Sequence, residues 1–204
     1  MSGTIKFYET ETNMKLDKIQ QKQLVNMIYI YSNKRGYKKR SNTIYRIKSD
    51  AFIHCDFLIV NSQKLVYRVY IKNYSYDDIF WNVMQMSSNS RNSDSLRAVG
   101  AFKAPSILLK KGELELIDKY ENQADNFVRM VDESSANFME QHDIDEYAIY
   151  NADGMNADIL EYLAYVHMGE VDKAKSIAMN AIENGNTGNF VKEGKAFFEW
   201  ALLF

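Results

Sequence analysis

The fold is decided by Ala51-Phe52-Ile53-His54-Cys55-Asp56-Phe57-Leu58-Ile59-Val60, followed after Asn61-Ser62-Gln63-Lys64 by Leu65-Val66-Tyr67-Arg68-Val69-Tyr70-Ile71-Lys72. β-Branched and aromatic residues dominate here for longer than anywhere else in the chain, which favours a sheet over a helix. Successive strand side chains point to opposite faces, so Ile53, Cys55, Phe57 and Ile59 share one face and Phe52, His54, Asp56 and Leu58 the other. Leu65, Tyr67, Val69 and Ile71 repeat the pattern. Matching the apolar faces across the Asn61-Ser62-Gln63 loop opposes Asp56 to Arg68 in an antiparallel pair. Upstream, Gly36-Tyr37-Lys38-Lys39-Arg40 leads into Thr43–Lys48, a further strand, and the three make a meander.

Working outward, Thr4–Tyr8 alternates as a short strand would. From Lys15 the period changes: Leu16, Ile19, Leu24, Met27, Ile28 and Tyr31 recur at three- and four-residue steps, an amphipathic helix with Thr12 or Asn13 as its cap and Asn33 to Gly36 as its end. Beyond the meander, Asp77-Asp78 precedes a short helix over Ile79–Met84, and a polar loop runs from Ser87 to Ser93. Leu96–Phe102 reads as another strand closed by Pro105. After Lys110-Lys111-Gly112 the longest helix is expected, with Leu114, Ile117, Tyr120, Ala124, Phe127, Val131 and Phe138 on one stripe out to about Gln141. Such a helix suits the core face of the sheet.

The segment from Leu16 to Gln141, with Gly36-Tyr37-Lys38-Lys39 and Thr43-Ile44-Tyr45-Arg46 between its helix and its meander, resembles a bacterial domain-of-unknown-function family of small α+β proteins. That resemblance implies a fold and no catalytic residue. Tyr162–Ala174, continuing to Ala178, Ala181 and Ile182, is similar to one tetratricopeptide-type helical hairpin, with Gly169 ending its first helix. A single hairpin is too short for a solenoid, so it is expected to pack on the first unit. The expected class is α+β: an antiparallel meander covered by helices over residues 1–141, with a helical extension over 142–204. The closing Trp200-Ala201-Leu202-Leu203-Phe204 either docks on the body or offers an apolar patch, through which a homodimer could form.

An apolar content of 46% is ample for a core in 204 residues. Cys55 is the one cysteine, which excludes an intramolecular disulfide. No run approaches the roughly 18 apolar residues that cross a bilayer, and no signal core opens the chain, so a cytoplasmic protein with no membrane partner is expected. The net charge of −2 conceals a division: residues 1–112 carry 19 Lys and Arg against 8 Asp and Glu, or +11, and residues 113–204 carry 6 against 19, or −13. Either each half meets a different partner or the halves face one another.

Three groups of side chains are candidates for function. Lys34, Arg35, Lys38, Lys39 and Arg40 suit phosphates or an acidic protein surface, with a solvated turn facing the acidic helices as the simpler reading. His54 and Asp56 share a strand face with Arg68 and suit a proton-transfer pair or half of a metal site, but the simpler reading is a solvent-side histidine beside an Asp–Arg cross-strand pair. Glu140, Asp143, Asp145 and Glu146 gather acidic groups at a helix boundary, where the helix dipole is sufficient reason for them. No catalytic motif, metal-ligand spacing or phosphate loop occurs, and no catalytic residue, metal or cofactor is expected. The expected role is therefore non-catalytic: a binding or regulatory protein, in specific form an immunity-type inhibitor whose acidic half occludes a basic protein. Nucleic-acid binding through the basic half is the alternative, and an enzyme ranks third.

Overall fold

The computed structural model describes residues 15–117 and 119–204. The strand expected over residues 4–8, and Thr12 and Asn13, lie outside them. Five antiparallel strands form a meander in chain order: β1 Lys38–Arg40, β2 Thr43–Lys48, β3 Ala51–Val60, β4 Lys64–Asn73 and β5 Ile107–Glu115. Asp56 stands opposite Arg68, as face matching requires. Ser62 and Asn61 turn the β3–β4 hairpin with positive φ.

Helices cover both sides of this sheet, giving the α+β architecture expected. On the Ile53–Cys55–Phe57 side lie α1 Lys18–Lys34 and α4 Tyr120–Gln141. Phe127 of α4 meets Phe57 and Tyr67 edge-on at 5.8 and 5.7 Å, and Tyr29 of α1 meets Phe57 at 6.0 Å. Asp17 caps α1, accepting from the backbone N–H groups of Ile19 and Gln20, while Gln20 bonds back to Asp17 N–H.

The second side is closed by α2 Tyr76–Val83, α3 Ser95–Val99 and the loop that follows to β5, with a short 3₁₀ turn at Ser87–Arg91 between the helices. Leu96–Phe102 is thus helix and loop instead of the expected strand. Five short apolar residues fit either state by pattern alone, and Gly100 ends the helix. The expected start of the long helix also moves: Glu113–Glu115 completes β5 against Lys64–Val66, and α4 begins at Tyr120. Ladder bonds to β4 outweigh the helical spacing that Leu114 shares with Ile117.

The C-terminal part comprises α5 Ile144–Tyr150, α6 Ala157–His167, α7 Val171–Glu183 and α8 Phe197–Ala201, with a two-stranded ribbon, β6 Val191–Lys192 and β7 Lys195–Ala196, before α8. Gly169 turns from α6 into α7 at φ +80°, the left-handed conformation glycine adopts without strain. The final helix, α8, is short, and its apolar side chains face the body. Phe197 and Phe198 are buried, with Phe197 stacked on Phe80 of α2 at 5.3 Å and edge-on to Tyr162 of α6 at 5.5 Å. Phe197, Phe198 and Ala201 thus dock on the body, while Leu202, Leu203 and Phe204 at the end of the chain are exposed. Among the described residues no helix is long and apolar enough to cross a membrane.

Candidate functional site

The site grows from the second face of the sheet. At the end where β3 begins and β4 finishes, both faces are covered, so Phe52, His54 and Lys72 are buried alongside Ile53 and Cys55. Lys72 cannot reach water and finds its partners inside: Nζ lies 2.8 Å from Asp77 Oδ2 and donates to the carbonyl oxygens of Arg97 and Ala104, each at 3.0 Å. Asp77 also accepts from the Ala104 N–H at 2.9 Å. Burial pushes the Lys72 pKa down to about 8 against the attraction of Asp77. Arg97 donates to Asp78 at 2.8 Å and stacks over Tyr74 at 3.8 Å. Trp81 Nε1 holds the Phe102 carbonyl at 2.6 Å. Together these bonds fix the loop over residues 100–106 against the sheet.

Lys103 is presented by that loop to His54. Its Nζ lies 3.4 Å from His54 Nε2 and donates to the Ala98 carbonyl. When Lys103 is protonated it only donates, and Nε2 is then the acceptor in this contact. Nδ1 itself has no partner among the described residues. Burial, and next the charges of Lys103 and Lys72, hold the His54 pKa well below the usual histidine range, so the ring is neutral. Burial also lowers the Lys103 pKa, with Asp56 and Asp77 acting in the opposite direction. Tyr70 stacks on the His54 ring at 4.9 Å and 16°. The groups open on a cleft of about 390 Å³ that Asp56, Ser106 and Asp153 also line.

His54 is therefore an interior residue at 1% exposure, not the solvent-side histidine its alternation suggested. Alternation identifies its face but not the loop that covers it. Asp56 accepts from Thr43 Oγ1 at 2.7 Å and makes no ion pair with Arg68, which is exposed opposite it. Cys55 points to the other face and is fully buried, with its thiol pKa raised well above the usual value by that burial. Lys72, Asp77, Arg97 and Lys103 escaped the sequence reading. The only available signal was Lys72 sharing a face with Phe52 and His54.

No family model, curated protein or solved structure matches the chain.

The basic cluster is largely engaged within the molecule. Arg35 pairs with Asp125 at 2.9 Å and Asp132 at 3.5 Å, and Lys38 pairs with Asp94 at 3.0 Å. Asp132 additionally binds Arg46 and the Tyr37 hydroxyl, both at 2.9 Å. Lys34 and Lys39 sit over the rings of Tyr31 and Tyr29, and Arg40 is exposed.

The acidic group divides. Asp143 caps α5, accepting from the backbone N–H groups of Asp145 and Glu146 at 2.9 and 3.0 Å. Asp145 turns inward, where its carboxylate accepts from Asn73 and Tyr76 at 2.8 Å and lies 2.8 Å from His167 Nδ1. Glu140 and Glu146 are exposed with no side-chain partner among the described residues. Tyr150 follows Glu146 by one turn on the open side of α5 and is 77% exposed; the nearby α6–α7 turn exposes Met168 and Val171.

Proposed function

We propose that the protein is a non-catalytic binding protein that recognises a basic protein partner through the acidic, apolar-studded surface of α5 and the α6–α7 turn. The observation that carries this reading is that ion-paired members of the basic cluster meet acids within the molecule, while two of the four acidic candidates have no side-chain partner among the described residues. Arg35, Arg46 and Lys38 are neutralised by Asp125, Asp132 and Asp94, whereas Glu140 at the end of α4 and Glu146, one turn before Tyr150 on α5, face solvent. Acidic side chains around an exposed aromatic supply electrostatic steering and a contact able to bury apolar area. In specific form the protein is an inhibitor whose acidic surface occludes a basic surface on its target.

Chemical cross-linking in the cell of origin, followed by reconstitution with the cross-linked protein, tests the reading. Cross-links to α5 or the α6–α7 turn are expected, with association slowed as salt rises and slowed at least tenfold by Glu140→Lys with Glu146→Lys. Unchanged association in that double variant overturns the proposal. Recovery of nucleic acid bound through Lys39 and Arg40 favours the alternative instead.

A further inference from the structure

β5 is an outer strand of the sheet, and among the described residues no strand lies beyond it. Leu116 N–H donates to the Gln63 carbonyl, so Leu114 and Gly112, at the same parity, also turn their backbone groups toward β4. Lys111 and Glu113 therefore turn theirs outward. Glu115 does the same, and its carbonyl is taken by Gln123 Nε2 at 2.6 Å. An open edge is a template for a further strand unless something covers it. Helix α4 sits over β3 and β4, where Phe127 meets Phe57 and Tyr67, and Lys110, Lys111 and Glu113 are exposed.

Charge is segregated along this edge. Lys64 holds both Glu113, at 2.6 Å, and Glu115, at 3.1 Å. Lys111 instead stands opposite Arg68, and neither cation makes an ion pair among the described residues. Asp56, on the far side of Arg68, is occupied by Thr43 Oγ1. We propose that β5 is a dimer edge, at which two copies of the chain pair antiparallel about a two-fold axis at Gly112, with Lys111 of each copy set against Glu113 of the other.

Hydrogen bonding and charge select this register together. Only outward-turned residues can exchange backbone bonds across the seam, so Lys111 and Glu113 must meet odd-numbered positions of the second copy. Centring the pair on Lys111 sets that lysine against itself, and centring it on Glu113 does the same to the carboxylate; like charges directly opposite destabilise a sheet. Centring on Gly112 gives two Lys111–Glu113 pairs instead, each exchanging backbone N–H and carbonyl bonds in both directions. On the core face the stem of Lys110 then lies against Leu114 of the second copy. Lys64 keeps Glu115 when Glu113 turns to the other strand. Lysines on an edge ordinarily deter pairing, but here each meets a carboxylate in the symmetric strand. The irregularity opposite Val69 and Tyr70 ends the seam on one side and Gln123 closes Glu115 on the other, so the contact is short and the dimer weak.

The experiment follows the full chain by sedimentation equilibrium from micromolar to millimolar concentration, with amide hydrogen exchange at both ends of that range. A monomer–dimer equilibrium that weakens with salt is expected. The Lys111 and Glu113 amides should exchange more slowly as the dimer fills, while those of Gly112 and Leu114, already turned to β4, change far less. Lys111→Glu and Glu113→Lys should each weaken self-association about tenfold or more, because each sets like charges opposite one another at both pairs. Both positions are exposed, so neither substitution threatens the fold. Mixed together, the two variants should form a heterodimer in which every charge again meets its opposite. The proposal falls if the natural chain stays monomeric throughout, if Lys111→Glu associates unchanged, or if the mixture of variants stays monomeric. Association that survives Lys111→Glu but is lost on removing Leu203 and Phe204 assigns the contact to the C-terminus and overturns it equally. None of these variants alters α5 or the α6–α7 turn, so this proposal and the partner surface can each fail alone.

Discussion

Lys72 and Asp77 form an ion pair in which neither side chain has any solvent exposure, with Nζ 2.8 Å from Oδ2. Five residues apart in sequence, they join the end of β4 to the first turn of α2 and hold both backbone groups of Ala104. The pair is thus the fastening of the loop that carries Lys103.

Removing Asp77 takes away the attraction that holds the buried Lys72 protonated, so the lysine either keeps its charge with no counter-ion or gives up its proton, and both are costly. Asp77→Ala is expected to destabilise the fold by about 3–5 kcal/mol, the cost of breaking a buried pair, and it also removes the acceptor of the Ala104 N–H. Faster amide exchange at Ala104 should accompany the loss, because its N–H bonds to Asp77. Urea unfolding and hydrogen exchange check the two effects; a loss within about 0.5 kcal/mol, the range of ordinary surface substitutions, contradicts this role.

His54 makes stability depend on pH. Burial, reinforced by Lys103 and Lys72, keeps its folded-state pKa well below the unfolded value of about 6.5. Below about pH 6.5 the unfolded chain therefore binds a proton that the folded chain refuses, and stability falls as pH is lowered until the folded pKa is reached. The slope from this one group approaches about 1.4 kcal/mol per pH unit. Relative to His54→Gln, the natural protein should lose stability from pH 6.5 to 5 and keep a constant difference above pH 7.5. Urea titrations across that range measure it, and a constant difference throughout contradicts the prediction.

Asp145 separates structure from recognition within one acidic group. Its carboxylate gathers Asn73, Tyr76 and His167 from β4, α2 and α6, so Asp145→Ala leaves buried polar groups unpaired. A loss of about 2–4 kcal/mol is expected, by analogy with other buried groups deprived of a partner. Glu146→Ala, one residue on, should change stability by no more than about 0.5 kcal/mol. Thermal and urea unfolding of the two variants distinguish them; equal effects contradict the division.

Much of the sheet was legible because strand periodicity is local. The alternation of Ile53–Ile59 and Leu65–Ile71 specified two strands, their faces and the Asp56–Arg68 register, since a one-residue slip would reverse every side chain. The helical hairpin around Gly169 was equally readable from small residues and a turn glycine. Leu96–Phe102 and Glu113–Glu115 misled because their state depends on neighbours remote in sequence, α3 lying against β1 and β2, and β5 pairing with β4.

The sequence by itself determined the meander, its two faces, the amphipathic helices and the opposite charge of the two halves, all set by residue order within short windows. Tertiary structure alone decided that His54 is buried, that Lys72 is paired with Asp77, and that Lys103 meets His54 across 49 positions of chain. Periodicity tells which way a side chain points. What stands opposite it, and therefore its charge state, is set by packing between segments far apart in sequence.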